Sequence, residues 1–268
     1  MIKVCGQEVI VDHFPDGTQN IKMPEIYIPN ACSDITITWL YESEEELLTL
    51  IYVKKWVDNR YYMDVQLEMP YIPNARMDRV KHQEEVFTLK YFANIINSLG
   101  FCLVSVLDPH SSVSEALIDN ISIDSPKEFI DEVLRHINVD SLFFPDEGAM
   151  KRYSSMAKLP YTFGVKQRQW ETGEILGLDI AGDIELIKDK DILIVDDICS
   201  RGGTFYFAAK KLKELGAKDI HLYVTHCENT VHDGELLKSD LIKRIWTTDS
   251  LKRTPHAKIS TIPIEEVL

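Results

Sequence analysis

Apolar runs and amphipathic stretches alternate along the chain, and the pattern is clearest in its last third. Ile192–Val195 is a continuous apolar run, which is typical of a strand covered on both faces of a sheet. Apolar residues recur at helical spacing over Thr204–Leu215, and Gly216 follows as a left-handed cap. A second strand is predicted over Asp219–Thr225. This pattern predicts a strand, a helix and a parallel strand joined by a right-handed crossover.

The same alternation continues over the rest of the 268 residues. In the first half it predicts strands over Lys3–Asp12, Asp34–Leu40, Gln66–Met69 and Phe101–Leu107, and helices over Ser43–Asn59 and Glu84–Leu99. In the second half it predicts helices over Pro126–His136 and from Ala149, with a strand over Ser141–Phe144 between them. This order favours an α/β fold with a mainly parallel sheet in each half. We place the boundary in the 119–125 region, which gives domains at 1–122 and 123–268.

The segment that joins the predicted strand to the helix carries the main candidate chemistry. Asp196 and Asp197 end the strand, and the turn Ser200-Arg201-Gly202-Gly203-Thr204 opens the helix. Glycines let backbone N–H groups approach an anion, and a helix N-terminus adds about half a positive charge. The two carboxylates could hold ribose hydroxyls directly or through a divalent cation. We expect a sugar-phosphate site here, although a tight turn with two solvated acids fits the residues too.

Composition excludes several other classes of function. The net charge of −14 argues against a nucleic-acid binder, which needs a basic surface. The five cysteines lack zinc-ligand spacing, so a reducing, cytoplasmic setting is the simplest interpretation. We find no signal peptide and no apolar stretch of membrane-spanning length, and therefore expect no membrane partner. The chain has no P-loop motif, so any ATP must bind in another way.

The 192–204 segment resembles the phosphoribosyl-diphosphate motif of type I phosphoribosyltransferases and their relatives. Further segments, in order along the chain, resemble one family among those relatives, the ribose-phosphate diphosphokinases or phosphoribosyl-diphosphate (PRPP) synthetases. They are Phe14-Pro-Asp16-Gly17, the 73–79 segment with Arg76, Asp78 and Arg79, Asp108-Pro-His110, the segment around Asp146, and Lys166-Gln-Arg168. The resemblance implies two tandem type I phosphoribosyltransferase-like domains, the first on the ATP side and the second on the sugar-phosphate side.

The resemblance also implies a role for each matching residue. ATP would contact Phe14, Asp16, Arg76, Asp78, Arg79 and His110, and the catalytic groups would be His110, Lys166 and Arg168. Mg²⁺ would be bound near His110 and Asp146. The sugar phosphate would contact Asp196, Asp197, Ser200, Arg201, Gly202, Gly203 and Thr204. Taken singly, each short segment also fits a structural role such as a hairpin turn, a surface ion pair, a helix cap or a solvated strand edge.

The reaction implied is transfer of the β,γ-diphosphoryl group of Mg-ATP to the anomeric hydroxyl of a ribose 5-phosphate unit, with release of AMP. Homo-oligomerisation is expected as well, because in the family the adenine-stacking loop comes from a neighbouring subunit. Two other interpretations stay open. A phosphoribosyltransferase would share the sugar-phosphate site but would not need the ATP-side residues, and a regulatory subunit would keep the fold without catalysis.

Some positions depart from the family pattern. Ser200 and Arg201 stand where most relatives have Asp and Thr, so a carboxylate is lost and a guanidinium is gained. The other departures are Thr18, Met77 and Ala149. An added cation suits a longer 5′ substituent, such as the ADP-ribose used by the ADP-ribose pyrophosphate synthetases linked to NAD salvage. The sequence leaves ribose 5-phosphate and ADP-ribose open as acceptors, and it leaves the role of His226 undecided.

Overall fold

The computed structural model describes residues 1–26, 34–168 and 175–267. The chain forms two compact units, Met1–Ser125 and Pro126–Leu268, each with its own sheet. Most neighbouring strands in both sheets are parallel and helices follow them in sequence, which confirms the predicted α/β class. The chain passes between units three residues after the predicted position, because Ile121–Asp124 pairs as the last strand of the first sheet.

The first unit contains a six-stranded sheet and a separate hairpin. The sheet strands are β1 (Ile2–Val4), β2 (Gln7–Glu8), β5 (Ile35–Trp39), β6 (Val65–Glu68), β7 (Leu103–Leu107) and β8 (Ile121–Asp124), in the order β2-β1-β5-β6-β7-β8. Strands β3 (Ile10–His13) and β4 (Gln19–Lys22) form the hairpin, and the helices are α1 (Glu46–Arg60), α2 (Thr88–Ser98) and α3 (Val113–Leu117). Strands β5 to β8 are parallel, so their carboxyl ends share one edge.

Two elements of the first unit differ from the sequence prediction. The single strand predicted over Lys3–Asp12 is wrong, because Cys5 and Gly6 have φ values of 48° and 77° and turn the chain back on itself. The helix predicted to begin at Ser43 begins at Glu46. The Glu46 carboxylate accepts hydrogen bonds from Trp39 Nε1 (2.9 Å) and from the Glu42 amide (2.8 Å), and so fixes the helix start in place of a serine cap.

The second unit contains a seven-stranded sheet in the order β11-β10-β9-β12-β13-β14-β15. Its strands are β9 (Ser141–Phe144), β10 (Tyr161–Arg168), β11 (Ile175–Ala181), β12 (Ile192–Cys199), β13 (Ile220–Cys227), β14 (Arg244–Thr248) and β15 (Ile259–Ile262). The helices are α4 (Lys127–His136), α5 (Glu147–Tyr153) and α6 (Gly203–Glu214). Only β10 and β11 pair antiparallel among these strands, as a hairpin at one edge of the described sheet.

The predicted strand, helix and strand at the centre of this sheet are confirmed as β12, α6 and β13. Ile192–Val195 is fully buried, because β12 lies between β9 and β13 in the sheet and packs on its faces as well. Helix α6 buries Phe205, Ala208 and Leu212 in the same core. Gly216 then adopts φ +92°, the left-handed conformation expected at a helix end. Among the described residues, no helix is both long enough and apolar enough to cross a membrane.

Candidate functional site

The turn between β12 and α6 depends on a glycine at position 202. Gly202 has φ +75° and ψ +13°, a left-handed backbone conformation that residues with a Cβ atom rarely adopt. A Cβ atom at this position would lie 2.6 Å from Leu236 Cδ2, which is closer than non-bonded carbons approach. Backbone strain and packing therefore both exclude a larger residue.

A second glycine holds the same turn from the other side. A Cβ atom on Gly234 would lie 1.9 Å from the Arg201 carbonyl oxygen, so the segment after β13 presses directly on the turn. Gly203 is different, because no atom lies within 4 Å of the position that its Cβ would take. Two glycines thus shape the turn, and the third leaves open space beside it.

An open cavity of about 520 Å³ lies next to this turn. The exposed side chains of Arg201 and Thr204 are at its rim. The first intrahelical hydrogen bond of α6 runs from Tyr206 N to Gly202 O (2.9 Å), so the amides before it are left to other acceptors. The lining residues are Asp196, Ile198, Ser200, Arg201, Gly202, Gly203, Thr204, Phe205, Glu228 and Thr230. The arrangement suits a phosphate group at the helix N-terminus.

Sequence analysis missed the two polar residues of this cavity that follow β13, Glu228 and Thr230. They follow β13, and the Thr230 hydroxyl donates to Glu228 Oε2 at 3.1 Å. Because β12 and β13 are parallel, their carboxyl ends lie at the same edge of the sheet. That rule, applied to the residues after the second strand, could have identified them.

Asp196 carries a strongly perturbed carboxyl group. Burial raises its pKa well above the usual value, and the nearby charges of Asp197 and Asp146 raise it further. The Asp197 amide donates to Asp196 Oδ1 at 3.0 Å and only partly offsets this. A cation bound beside Asp196 would favour the charged carboxylate, so the position suits a ligand that brings positive charge.

Asp197 has a different environment from its neighbour. It is 6% exposed, and its Oδ2 accepts from Arg152 Nη1 at 3.0 Å. Its Oδ1 accepts from the Ile198 amide at 2.7 Å. Asp197 is not among the residues that line the cavity beside the turn. Successive residues of a strand lie on opposite faces, which separates the two carboxylates. A sugar-binding role for Asp197 stays a prediction.

Asp146 lies at the end of β9, the strand beside β12. Its Oδ1 accepts from the Ala149 amide at 3.1 Å and caps α5, which begins at Glu147 and not at the predicted Ala149. No group of three or more His, Cys, Asp or Glu side chains in the described ranges could hold a metal ion by itself. Mg²⁺ commonly binds one or two carboxylates together with substrate phosphates, and Asp146 and Asp196 fit that pattern. The metal role of Asp146 stays a prediction.

In the first unit, Phe14 lies at the turn of the β3–β4 hairpin. The residue is 51% exposed. Asp16 Oδ1 accepts from the Thr18 amide (3.0 Å) and hydroxyl (2.7 Å), and these bonds lower the Asp16 pKa. Gly17 has φ +84°, as the turn requires. The hairpin therefore exposes an aromatic residue to solvent at a turn that the Asp16–Thr18 hydrogen bonds stabilise.

The other ATP-side candidates follow neighbouring strands of the first sheet. The 73–79 segment comes after β6, and His110 comes after β7. Hydrogen bonds from Leu107 N to Pro70 O (3.0 Å) and from Met69 N to Ser105 O (2.8 Å) hold the two strand ends together. Arg76 and Arg79 are exposed, and Arg79 Nε lies 3.7 Å from Asp78 Oδ1. The segments that follow these two strand ends thus contain two arginines and a histidine.

Lys166 and Arg168 belong to β10, which pairs with β11. Lys166 is opposite Leu178, Arg168 is opposite Ile175, and the register shifts between residues 167 and 168. Their side chains lie outside the described part of the structure, and so do residues 169–174. The catalytic role expected for them stays a prediction.

Comparison with known proteins gives a consistent set of relatives. Residues 148–254 match the family model of the phosphoribosyl transferase domain. The ribose-phosphate pyrophosphokinase of Sulfurisphaera tokodaii is 26% identical over 267 residues, which cover 96% of this chain and 90% of that protein. The ribose-phosphate pyrophosphokinase of Bacillus subtilis is 27% identical, over 93% of this chain and 79% of that protein.

The chain is similar to the ribose-phosphate pyrophosphokinases. This confirms the resemblance predicted from the ordered motifs, and it extends over both units. The crystal structure of phosphoribosylpyrophosphate synthetase from Mycobacterium smegmatis has the same fold, with a TM-score of 0.76 and 18% identity. The likeness covers 97% of this chain and 87% of that one. The pyrophosphokinase relatives are transferases, the enzyme class expected from the sequence.

The three glycines of the site are expected to respond differently to alanine. Gly202→Ala and Gly234→Ala should each lower the free energy of unfolding by about 2 kcal/mol or more, through strain or overpacking. Gly203→Ala should leave stability unchanged or slightly higher, because the added methyl meets no atom. It should nevertheless weaken binding of inorganic phosphate, because the methyl occupies the open space beside the turn. Urea denaturation and phosphate titration would measure both effects, and equal destabilisation by all three changes would contradict this account.

The perturbed carboxyl of Asp196 gives a prediction with a definite sign. Because its pKa is raised in the folded state, its contribution to stability is present at acid pH and is lost as the pH rises through the folded pKa. Asp196→Asn should therefore be more stable than the parent at pH 8, with a difference that shrinks on acidification.

Asp219→Asn is the matched control, since Lys243 lowers the Asp219 pKa. Its carboxylate stabilises the fold above its unfolded pKa and ceases to do so as the pH falls through the lowered value. The Asn variant should therefore be the less stable one at pH 8. Thermal unfolding between pH 4 and 8 would test both substitutions. A loss of stability in Asp196→Asn that is independent of pH would contradict the raised pKa of Asp196 in the folded state.

Proposed function

We propose that this chain transfers the β,γ-diphosphoryl group of ATP to the anomeric hydroxyl of a ribose 5-phosphate unit and releases AMP. The observation that carries the proposal is the cavity at the β12–α6 turn, where a glycine-shaped helix N-terminus and a desolvated carboxyl line one space. An anion and a polyhydroxylated or cation-bound group can bind there side by side. Ribose 5-phosphate combines both features in one small molecule.

In this proposal the second unit binds the sugar phosphate. Its 5-phosphate accepts hydrogen bonds from the amides of the first turn of α6 and from the Ser200 and Thr204 hydroxyls. Asp196 and Glu228 are the acceptors placed for the ribose hydroxyls, because they line the same cavity. Asp197 orients the site through its ion pair with Arg152.

The first unit binds ATP in the same proposal. Guanidinium groups remain charged at all working pH values and bind phosphate oxygens bidentately, which suits Arg76 and Arg79. His110 follows the neighbouring strand and provides a further contact at the same edge. The exposed Phe14 ring is available to stack on adenine, from a neighbouring subunit if the protein is a homo-oligomer.

Chemistry of this type rests on alignment and charge neutralisation more than on covalent participation by the protein. When bound, Mg²⁺ would neutralise phosphate charge, with Asp146 and Asp196 as the carboxylates that fit it. Lys166 and Arg168 would stabilise the charge that develops on the transferred group and on the departing AMP. The acceptor hydroxyl supplies the nucleophile, so no residue of the chain becomes covalently modified.

The similarity to pyrophosphokinases favours this function over the two alternatives. A phosphoribosyltransferase accounts for the 148–254 match but leaves the similarity of the first unit unexplained. A regulatory subunit accounts for the fold but gives no reason to keep His110, Lys166 and Arg168. We propose a cytoplasmic enzyme that acts on small molecules and forms homo-oligomers.

The acceptor is the part of the function that Arg201 most directly affects. Its exposed guanidinium lines the cavity at the point where the 5-phosphate would lie. The helix N-terminus alone provides donors for the single phosphate of ribose 5-phosphate. The additional guanidinium of Arg201 therefore favours an acceptor that has a second phosphate. We therefore propose ADP-ribose as an acceptor alongside ribose 5-phosphate.

The function is tested by incubating the purified protein with Mg-ATP and either sugar, and measuring AMP release. The account predicts AMP release that requires a sugar, with the new diphosphate on C1 by ³¹P NMR. Lys166→Ala should reduce the rate by about a hundredfold or more, as expected for loss of a transition-state contact. Lys158→Ala removes an exposed lysine just before β10 and should retain the parent rate.

Other outcomes of this experiment discriminate between the alternatives. Turnover of a diphosphate sugar without ATP would support a phosphoribosyltransferase. Failure to release AMP with either acceptor, by a folded protein, would support a regulatory subunit and contradict the proposal.

The acceptor preference is tested by restoring the usual threonine at position 201 alone, which leaves the Ser200 hydroxyl in place. Arg201→Thr should lower kcat/KM with ADP-ribose by about tenfold, because one charge-assisted contact is lost, and should spare ribose 5-phosphate. Lys210→Ala, an exposed charge farther along α6, should change neither value. Equal losses with both acceptors would contradict the role given to Arg201.

A further inference from the structure

Two cysteines lie side by side at the base of the candidate site. Cys199 is the last residue of β12, Cys227 is the last residue of β13, and the two are paired in the strand register. Both side chains are fully buried at 0% exposure. Neighbouring strands are about 4.8 Å apart, which falls within the Cα separation of about 4.4–6.8 Å found in disulfides. The backbone geometry therefore already suits a cross-link.

The two thiols also interact with each other. The hydrogen-bonding interaction between the two sulfurs, with burial, raises the Cys199 pKa. The same interaction lowers the pKa of Cys227, and the charge of Arg253 lowers it further. Each thiol also donates to a backbone carbonyl oxygen, Cys199 to Ser200 at 3.4 Å and Cys227 to Glu228 at 4.0 Å. The register pairs the two residues, so each sulfur is placed to attack the other after oxidation, and the lowered pKa favours Cys227 as the sulfur that is oxidised first.

Each cysteine directly precedes a wall of the cavity. Ser200 follows Cys199 and begins the phosphate turn, and Glu228 follows Cys227 and lines the opposite side. The Glu228 amide donates to the Cys199 carbonyl at 2.8 Å, so the two walls are coupled through the backbone as well. The Cα separation needs no large change, but a bond of about 2.05 Å between the sulfurs would turn both side chains to the disulfide dihedral angle and lock the two walls, which then no longer adjust to a bound anion.

We propose that Cys199 and Cys227 form a reversible disulfide that weakens phosphate binding at the β12–α6 turn. With hydrogen peroxide as oxidant, the Cys227 sulfur attacks one peroxide oxygen and becomes a sulfenic acid, with release of water. The Cys199 sulfur then attacks the sulfenic sulfur, forms the S–S bond and releases a second water. One dithiol and one peroxide thus give one disulfide and two waters. The regulatory part of this proposal rests on the proposed function, whereas the cross-link and its effect on phosphate do not.

Mapping the cross-link is the first arm of the experiment. Trypsin cleavage after Lys190, Arg201, Lys218 and Lys238 places Cys199 in residues 191–201 and Cys227 in residues 219–238, with no other cysteine in either peptide. Peroxide treatment should give a linked pair of these peptides that dithiothreitol separates. Cys199→Ala and Cys227→Ala should each abolish it, and Cys102→Ser, a change at an exposed cysteine of the first unit, should not. Free thiols at both positions when Cys102 is fully oxidised would overturn the proposal.

Phosphate binding is the second arm, and it does not depend on catalysis. The cross-linked protein should bind inorganic phosphate at least tenfold more weakly than the reduced protein. By linkage, saturating phosphate should then raise the midpoint potential of the Cys199–Cys227 pair. The shift should be about 30 mV for each tenfold difference in phosphate affinity between the reduced and cross-linked forms. Unchanged phosphate affinity in a fully cross-linked sample would refute the coupling, even if the disulfide forms.

Activity is the third arm. The rate of AMP release should fall in proportion to the cross-linked fraction and return with dithiothreitol. If the reduced protein releases no AMP, the proposed function fails while the first two arms still decide the disulfide. A fully cross-linked protein with the parent rate would overturn the regulatory part.

Discussion

The contact between two chain segments at the β12–α6 turn is the constraint on which the site depends. Leu236 presses against Gly202, and Gly234 presses against the Arg201 carbonyl, so that neither glycine has room for a side chain. The segment after β13 in this way fixes the path of the segment after β12. Without that contact, no packing would stabilise the left-handed backbone at Gly202. The amides at the start of α6 would then not have one fixed arrangement at the cavity.

The electrostatics of the site follow from the same geometry. Helix α6 starts where the turn ends, so its positive end and the Asp196 carboxyl border one cavity. The carboxyl is costly to ionise there, because it is desolvated and lies near Asp197 and Asp146. A ligand that brings a cation and an anion together would neutralise both the carboxyl groups and the positive end of α6. A metal-bound phosphate compound is a ligand of that kind, so the net charge of −14 is compatible with an anion site at this position.

Sequence alone predicted the central strand, helix and strand, because buried parallel strands and amphipathic helices leave strong periodic signals. It also predicted the turn residues, because their spacing reflects a backbone requirement. The strand predicted over Lys3–Asp12 failed because Cys5 and Gly6 both adopt a positive φ, and of the two only the glycine is a turn signal in the sequence. The environment of Asp197 was missed for another reason, since its partner Arg152 is distant in sequence and adjacent only in the fold.

The central claim is that the N-terminus of α6 is an anion site shaped by the turn before it. The most direct test is a titration of the reduced protein with inorganic phosphate, followed by the amide resonances of Gly202, Gly203 and Thr204 in a ¹H–¹⁵N correlation spectrum. The account predicts saturable shifts of these resonances that exceed those of amides elsewhere in the second unit. Resonances of the turn that stay in place while others shift would contradict it.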